Sequence, residues 1–177
     1  LAFEILANGS LTADAESSRI DMIRVLAKAS GASGMCMGQS LDLQAEGKKV
    51  NLSSLEQIHA HKTGALIKSA VQLGALCAGD KGKAILPQLE TYADAIGLAF
   101  QVQDDILDIT SDTETLGKPQ GSDLELEKST YPALLGLDGA QQKAEQLYQT
   151  AIEALNDIPY NTDAMQAFAQ YVIERKN

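Results

Sequence analysis

Tryptophan is absent from this chain of 177 residues, and aromatic residues make up only 5% of it. Against that scarcity stand abundant Ala, Leu, Gln and Glu, a balance that favours helices over strands. Positive charge is also short: 14 Lys and Arg face 24 Asp and Glu, for a net charge of −10. The deficit argues against a general nucleic-acid-binding role, which needs a basic patch. It leaves phosphorylated substrates open, because metal ions invert the local sign. The only two cysteines, Cys36 and Cys77, sit among small apolar residues and read as reduced, partly buried thiols of a cytosolic protein. No Cys/His spacing suggests zinc. A long hydrophobic run is missing as well, since the most apolar stretch, residues 64–79, is interrupted by Lys68, Ser69 and Gln72. No signal-peptide pattern is visible, so the expected location is the cytoplasm.

What is present reads as helix throughout. Leu1 to Ala7 has neither an initiator Met nor a helix cap, and looks like the last turns of a helix whose beginning lies upstream. The chain is therefore expected to be the C-terminal part of something longer, one core without a second complete domain. After a turn at Asn8-Gly9-Ser10, one long helix is expected from about residue 15 to about residue 44, with small residues from Ala29 to Gly34. A loop spans 46–51, and Ser53 with Glu56 suggests a capping box for the next helix. That helix carries Leu55, Ile58, Lys62, Leu66, Ser69, Leu73 and Leu76 on one face and closes at Gly79. A further helix has Pro87 in its first turn and runs to about Ile109. A polar segment with Gly117, Pro119 and Gly121 reads as a loop, and Ser129-Thr130-Tyr131-Pro132 as a cap followed by a first-turn proline. Helices over about 138–157 and 163–175 complete the chain.

Chemistry is expected where a buried stripe turns acidic. Leu89, Ala93, Ile96 and Phe100 are followed, at the same three- or four-residue spacing, by Asp104 and Asp108, with Asp105 beside them. Burying carboxylates costs several kcal/mol each unless a cation compensates. Hard oxygen ligands without His or Cys favour Mg²⁺, usually shared with substrate phosphates. Acidic charge near a helix C-terminus is also unfavourable to the helix dipole and calls for a compensating partner. Lys62 interrupts an apolar stripe and needs an anion; a diphosphate suits its point charge. Gly64 invites a local break that would free backbone carbonyls. His59 and His61 read as ordinary surface or hydrogen-bonding residues. Lys118 and Lys128 follow the acidic cluster as candidate clamps, while Gln39 and Asp42 share a helix face.

Five ordered segments carry a resemblance: Gly38-Gln39-Ser40-Leu41-Asp42-Leu43, His61-Lys62-Thr63-Gly64-Ala65-Leu66, residues 97–108 (GLAFQVQDDILD), Gly117-Lys118, and Lys128-Ser129-Thr130-Tyr131-Pro132. Over the whole chain they resemble the trans-isoprenyl diphosphate synthase family, most closely its bacterial farnesyl diphosphate-forming members. The resemblance implies an all-α bundle around a central cavity. It implies Asp104, Asp105 and Asp108 as the second aspartate-rich motif holding Mg²⁺, with Asp104 the first choice for direct contact. Lys62, Lys118 and Lys128 would hold the allylic diphosphate, Thr63 and Gln101 would face the carbocation, and Phe100 would pack near the homoallylic substrate. Gln39 and Asp42 would line the same cavity, with Asp123 behind them.

The implied reaction joins isopentenyl diphosphate to an allylic diphosphate, dimethylallyl or geranyl, by ionisation, condensation and elimination. The implied assembly is a homodimer. Family members carry a first aspartate-rich motif and a basic pocket upstream of the segment matching Leu1; neither is present here. The 177-residue chain alone is therefore expected to lack synthase activity. A geranylgeranyl-type synthase, a class I terpene cyclase, and a non-catalytic helical metal- or partner-binding module are the alternatives.

Overall fold

A computed structural model describes residues 1–111 and 129–175, and every regular element among them is helical. In chain order the helices are α1 (Ala2–Asn8), α2 (Ala13–Glu16), α3 (Arg19–Ser30), α4 (Met35–Ala45) and α5 (Leu52–His59). A π-helical turn (Ala60–Gly64) comes next, then α6 (Ala65–Cys77), α7 (Asp80–Ala84), α8 (Leu86–Thr110), α9 (Tyr131–Asn156, kinked where Gly136 leaves the helical conformation at φ +74°) and α10 (Asp163–Glu174).

The 25-residue α8 is the axis of the bundle. Its buried positions, including Leu89, Tyr92, Ala93, Ile96, Ala99, Val102 and Ile106, fall on more than one face, as expected of a helix enclosed by neighbours. One core joins Leu89, Tyr92, Ile96 and Ala99 to Ala151, Leu155, Ala169 and Val172 of α9 and α10. A second joins Val102 and Ile106 to Leu55, Tyr131, Ala140 and Ala144. A third, smaller one packs Met22 and Ala15 against Leu76. The Tyr92 hydroxyl donates to the Met165 carbonyl at 2.8 Å, and burial pushes its pKa up to about 12. Pro87 lies in the first turn of α8, as expected, and Gly79, at φ +62°, ends α6 in the left-handed conformation.

Three local expectations are corrected. The long helix over 15–44 is three helices, broken at Ser17–Ser18 and at 31–34. At Gly31 and Gly34 the chain folds back on α3 so tightly that a Cβ on Gly34 would lie 2.1 Å from the Ala29 carbonyl oxygen. The cap of α5 is Asn51, whose side-chain oxygen accepts from the Ser54 N–H at 2.9 Å, so Ser53 and Glu56 form no capping box. Asn is a strong N-cap, and its placement one residue before Leu52 takes the role first. Cys36 and Cys77 are exposed rather than partly buried, because both point from the outer faces of their helices.

The break expected at Gly64 is a π turn that lets the helix continue. Its extra residue rotates α6 about its axis, so Leu66 is 37% exposed while Gly64 and Ser69 are buried. Two glycines seat this turn against its neighbours. A Cβ on Gly38 of α4 would lie 2.0 Å from the Lys62 backbone nitrogen, and one on Gly97 of α8 would lie 3.3 Å from the Gly64 Cα.

Candidate functional site

The close approach at Gly38 brings α4 alongside the π turn, and the approach at Gly97 brings α8 to its other side. Between them opens a cleft of about 210 Å³, lined by Asp42, Glu46, Lys48, His59, Lys62, Gln101, Asp104 and Asp105 among others. Ser129 and Thr130, at the entrance to α9, complete the lining among the described residues.

Lys62 finds its anion within the protein: its Nζ donates to Asp42 Oδ2 at 2.6 Å. Both side chains are only partly buried, so the pair faces the cleft and contributes modestly to stability. The stripe of α8 surfaces at Asp104, whose side chain is 49% exposed. Asp105 is 8% exposed and Asp108 only 1%. Asp105 Oδ2 accepts from the Tyr131 backbone N–H at 2.9 Å, placing its charge at the N-terminus of α9. That positive helix end compensates the acidic charge at the end of α8. Thr130 caps the same helix by accepting from Ala133 N–H at 3.3 Å.

Of the residues expected at the site, Asp42, Lys62, Gln101, Asp104 and Asp105 come together in the cleft. Gln39 is exposed on α4, Thr63 is half-buried in the π turn, and Asp108 is buried one turn beyond Asp104; none of these lines the cleft. Phe100 is half-buried beneath Arg175, whose guanidinium lies 4.1 Å from the ring centroid. Gly117, Lys118, Asp123 and Lys128 lie outside the described residues.

Two residues of the site were not expected there: Arg175 carried no signal, and His59, read as an ordinary surface or hydrogen-bonding residue, is corrected to a ring with buried nitrogens in the cleft wall. Arg175 donates to the Phe100 carbonyl at 3.1 Å and to Asp104 Oδ1 at 3.2 Å, tying the end of the chain to the acidic motif. Such a contact between residues 71 positions apart has no local signal. His59 packs its ring on that of Tyr131 and lines the cleft, with both ring nitrogens buried and without a hydrogen-bond partner. Burial pushes its pKa below the ordinary value. The Gln101 amide, close to the ring but outside hydrogen-bond geometry, opposes that shift, as does the charge of Asp42.

Among the described residues, no three His, Cys, Asp or Glu side chains converge on one point. The cleft offers oxygen donors, with the Asp104 carboxylate the most open of the three motif aspartates. That set fits a hard cation whose remaining ligands come from a bound diphosphate or water, which is how Mg²⁺ is usually held.

The polyprenyl synthetase family model matches residues 1–170. The farnesyl diphosphate synthase of Escherichia coli strain K12 is 57% identical over 99% of this chain and 60% of its own length. That of Haemophilus influenzae is 50% identical over 99% of this chain and 59% of its own. The chain thus spans about 60% of the length of these curated relatives. Among solved structures, a geranyltransferase from Helicobacter pylori, complexed with magnesium and isoprenyl diphosphate, superimposes with a TM-score of 0.79 at 31% identity. That match covers 97% of this chain and 55% of that one. A geranylgeranyl pyrophosphate synthetase from Pyrococcus horikoshii gives a TM-score of 0.84 at 25% identity, covering 98% and 63%. The all-α bundle, the motif order along nearly the whole chain and these likenesses agree, and the chain belongs to the polyprenyl synthetase family.

Proposed function

We propose that this chain is the C-terminal part of a single farnesyl diphosphate synthase domain. The whole protein then condenses isopentenyl diphosphate with dimethylallyl or geranyl diphosphate, releasing diphosphate. The observation that carries the reading is the juxtaposition, in one open cleft, of the Lys62 ammonium with the Asp104 carboxylate. The first suits a diphosphate oxygen and the second would suit a hard divalent cation.

Lys62 exchanges Asp42 for the allylic diphosphate and donates to its oxygens as charge develops on the leaving group, which is electrostatic stabilisation of the transition state. Asp104, supported by Asp105 and Asp108, would hold Mg²⁺, which would supply Lewis-acid charge to the same group. Gln101 presents a polar oxygen towards the allylic cation; the parts proposed for Thr63, Gln39 and Phe100, which do not line the cleft, require substrate to extend beyond it. Lys118 and Lys128 add positive charge around the diphosphate. The names of the E. coli and H. influenzae relatives, farnesyl diphosphate synthases, support a fifteen-carbon product; a cytoplasmic location is proposed with it. A homodimer is the proposed assembly, and the 177 residues alone are proposed to be inactive as a synthase.

The test incubates the full-length protein and this chain with Mg²⁺, isopentenyl diphosphate and geranyl diphosphate, and follows products by mass spectrometry. A farnesyl product from the full-length protein, reduced at least about 10²-fold in Asp104→Ala and absent with this chain alone, is the expected result. A twenty-carbon product corrects the chain length, and no elongated product from the intact protein overturns the reading.

A further inference from the structure

We infer that His59 is a positioning residue of the cleft, acting through its ring face: the stack on Tyr131 holds the turn that carries Lys62 against the helix entrance anchored by Asp105. The inference rests on the reading of the cleft as a diphosphate site.

His59 ends α5 at the point where the helix passes into the π turn, three residues before Lys62. A π turn is a looser arrangement than an α-helix, so the position of Lys62 depends on what braces it. Gly38 braces one side through backbone contact. On the other side, the His59 and Tyr131 ring centroids are 5.7 Å apart with the planes inclined by 19°, within the range of offset aromatic stacking. Tyr131 is itself immobile. It is 0% exposed, its N–H is held by Asp105, and the nearby Ser129 accepts from Val50 N–H at 3.1 Å through its hydroxyl.

No hydrogen bond of normal geometry holds the imidazole, although the Gln101 side chain acts on it. Neither ring nitrogen nor the Tyr131 hydroxyl has a partner among the described residues, and buried polar groups are ordinarily satisfied. What the structure uses at this position is a flat ring of the right thickness. The rings therefore form a strut joining Lys62 in the π turn, Asp105 at the end of α8 and the first turn of α9. Loosening it lets the ammonium drift relative to the acidic motif while the surrounding cores remain packed.

Two substitutions separate ring from nitrogen. His59→Phe keeps a stacking ring and removes both nitrogens; His59→Leu keeps volume and removes the ring. In the full-length protein we expect His59→Phe to keep kcat/KM for geranyl diphosphate within about threefold of wild type. We expect His59→Leu to lower it by tenfold or more with a thermal midpoint close to that of His59→Phe, and to weaken Mg²⁺-dependent binding of inorganic diphosphate in parallel.

In the full-length protein the imidazole carbon-bound proton NMR signals of His59 are those lost in His59→Phe, and those of His61 are identified in the same way with His61→Phe. The stack places the His59 set under the ring current of Tyr131, so Tyr131→Leu shifts it and leaves His61 in place. Equal activity and binding in His59→Leu and wild type overturn the strut alone. Equal losses in Phe and Leu variants also overturn it, because the nitrogens would then matter. A wild-type protein that binds no diphosphate with Mg²⁺ overturns the underlying reading and the strut with it, while the NMR shift still reports on the stack.

Discussion

At the scale of single residues, the Lys62–Asp42 pair makes the cleft chemically responsive. Each side chain is partly exposed, so the 2.6 Å contact holds the ammonium in place without locking it. A diphosphate carries more charge than one carboxylate and competes for the same donors. Lys62→Ala should lower kcat/KM of the full-length protein by about 10²-fold, the typical loss for one electrostatic donor, with little change in thermal midpoint. Steady-state kinetics with geranyl diphosphate checks this; a change below threefold would remove Lys62 from the reaction.

His59 gives a pH dependence of known sign. Its folded-state pKa lies below the ordinary 6.5 because burial disfavours the imidazolium. The unfolded chain therefore takes up a proton before the folded one does, and stability falls as pH drops through about 6.5 towards the folded value. Denaturant unfolding of wild type and His59→Phe should give a stability difference that is constant above neutrality. Below pH 6.5 the difference should shift in favour of the Phe variant. A pH-independent difference would contradict the buried neutral imidazole.

At the scale of elements, the cleft depends on how closely backbones approach. α4 meets the π turn over Gly38, where any side chain would run into the Lys62 nitrogen at 2.0 Å. In the full-length protein Gly38→Ala should cost about 3 kcal/mol by overpacking, a fall of several degrees in thermal midpoint. Calorimetry checks it, and an unchanged midpoint would mean that α4 and the turn part readily.

Periodicity made the helical elements legible: Leu89 to Phe100 announces α8, Thr130-Tyr131-Pro132 announces α9, and Gly79 announces the end of α6. Lys62 and Asp104 were legible as charged residues on otherwise apolar faces, with Asp105 beside the stripe, and the family segments supported Asp42 and Gln101. The π turn was visible only as a suspect glycine, because one inserted residue scarcely alters the local pattern. The Arg175 clasp, the His59–Tyr131 stack and the use of Asp105 to hold α9 depend on contacts between distant parts of the chain. Spacing along the sequence carries no trace of them.

At the scale of the whole molecule, α8 is enclosed by α6, α9, α10 and the π turn, and its acidic end meets the start of α9. Ile96, Val102, Leu155 and Val172 are fully buried in the interior. Elsewhere Leu1, Phe3, Ile5, Ile20, Met37 and Leu43 are exposed, a scatter of large apolar side chains on the α1, α3 and α4 side. The matched relatives are longer than this chain by about two-fifths of their own length.

The central claim is that the cleft between α4, the π turn and α8 binds diphosphate together with a divalent cation. Isothermal titration of the full-length protein with inorganic diphosphate, with and without Mg²⁺, tests it most directly. Binding should require Mg²⁺ and weaken by about tenfold or more in both Lys62→Ala and Asp104→Ala, as expected for losing a charged contact. Mg²⁺-independent binding, or unchanged affinity in both variants, would contradict the account.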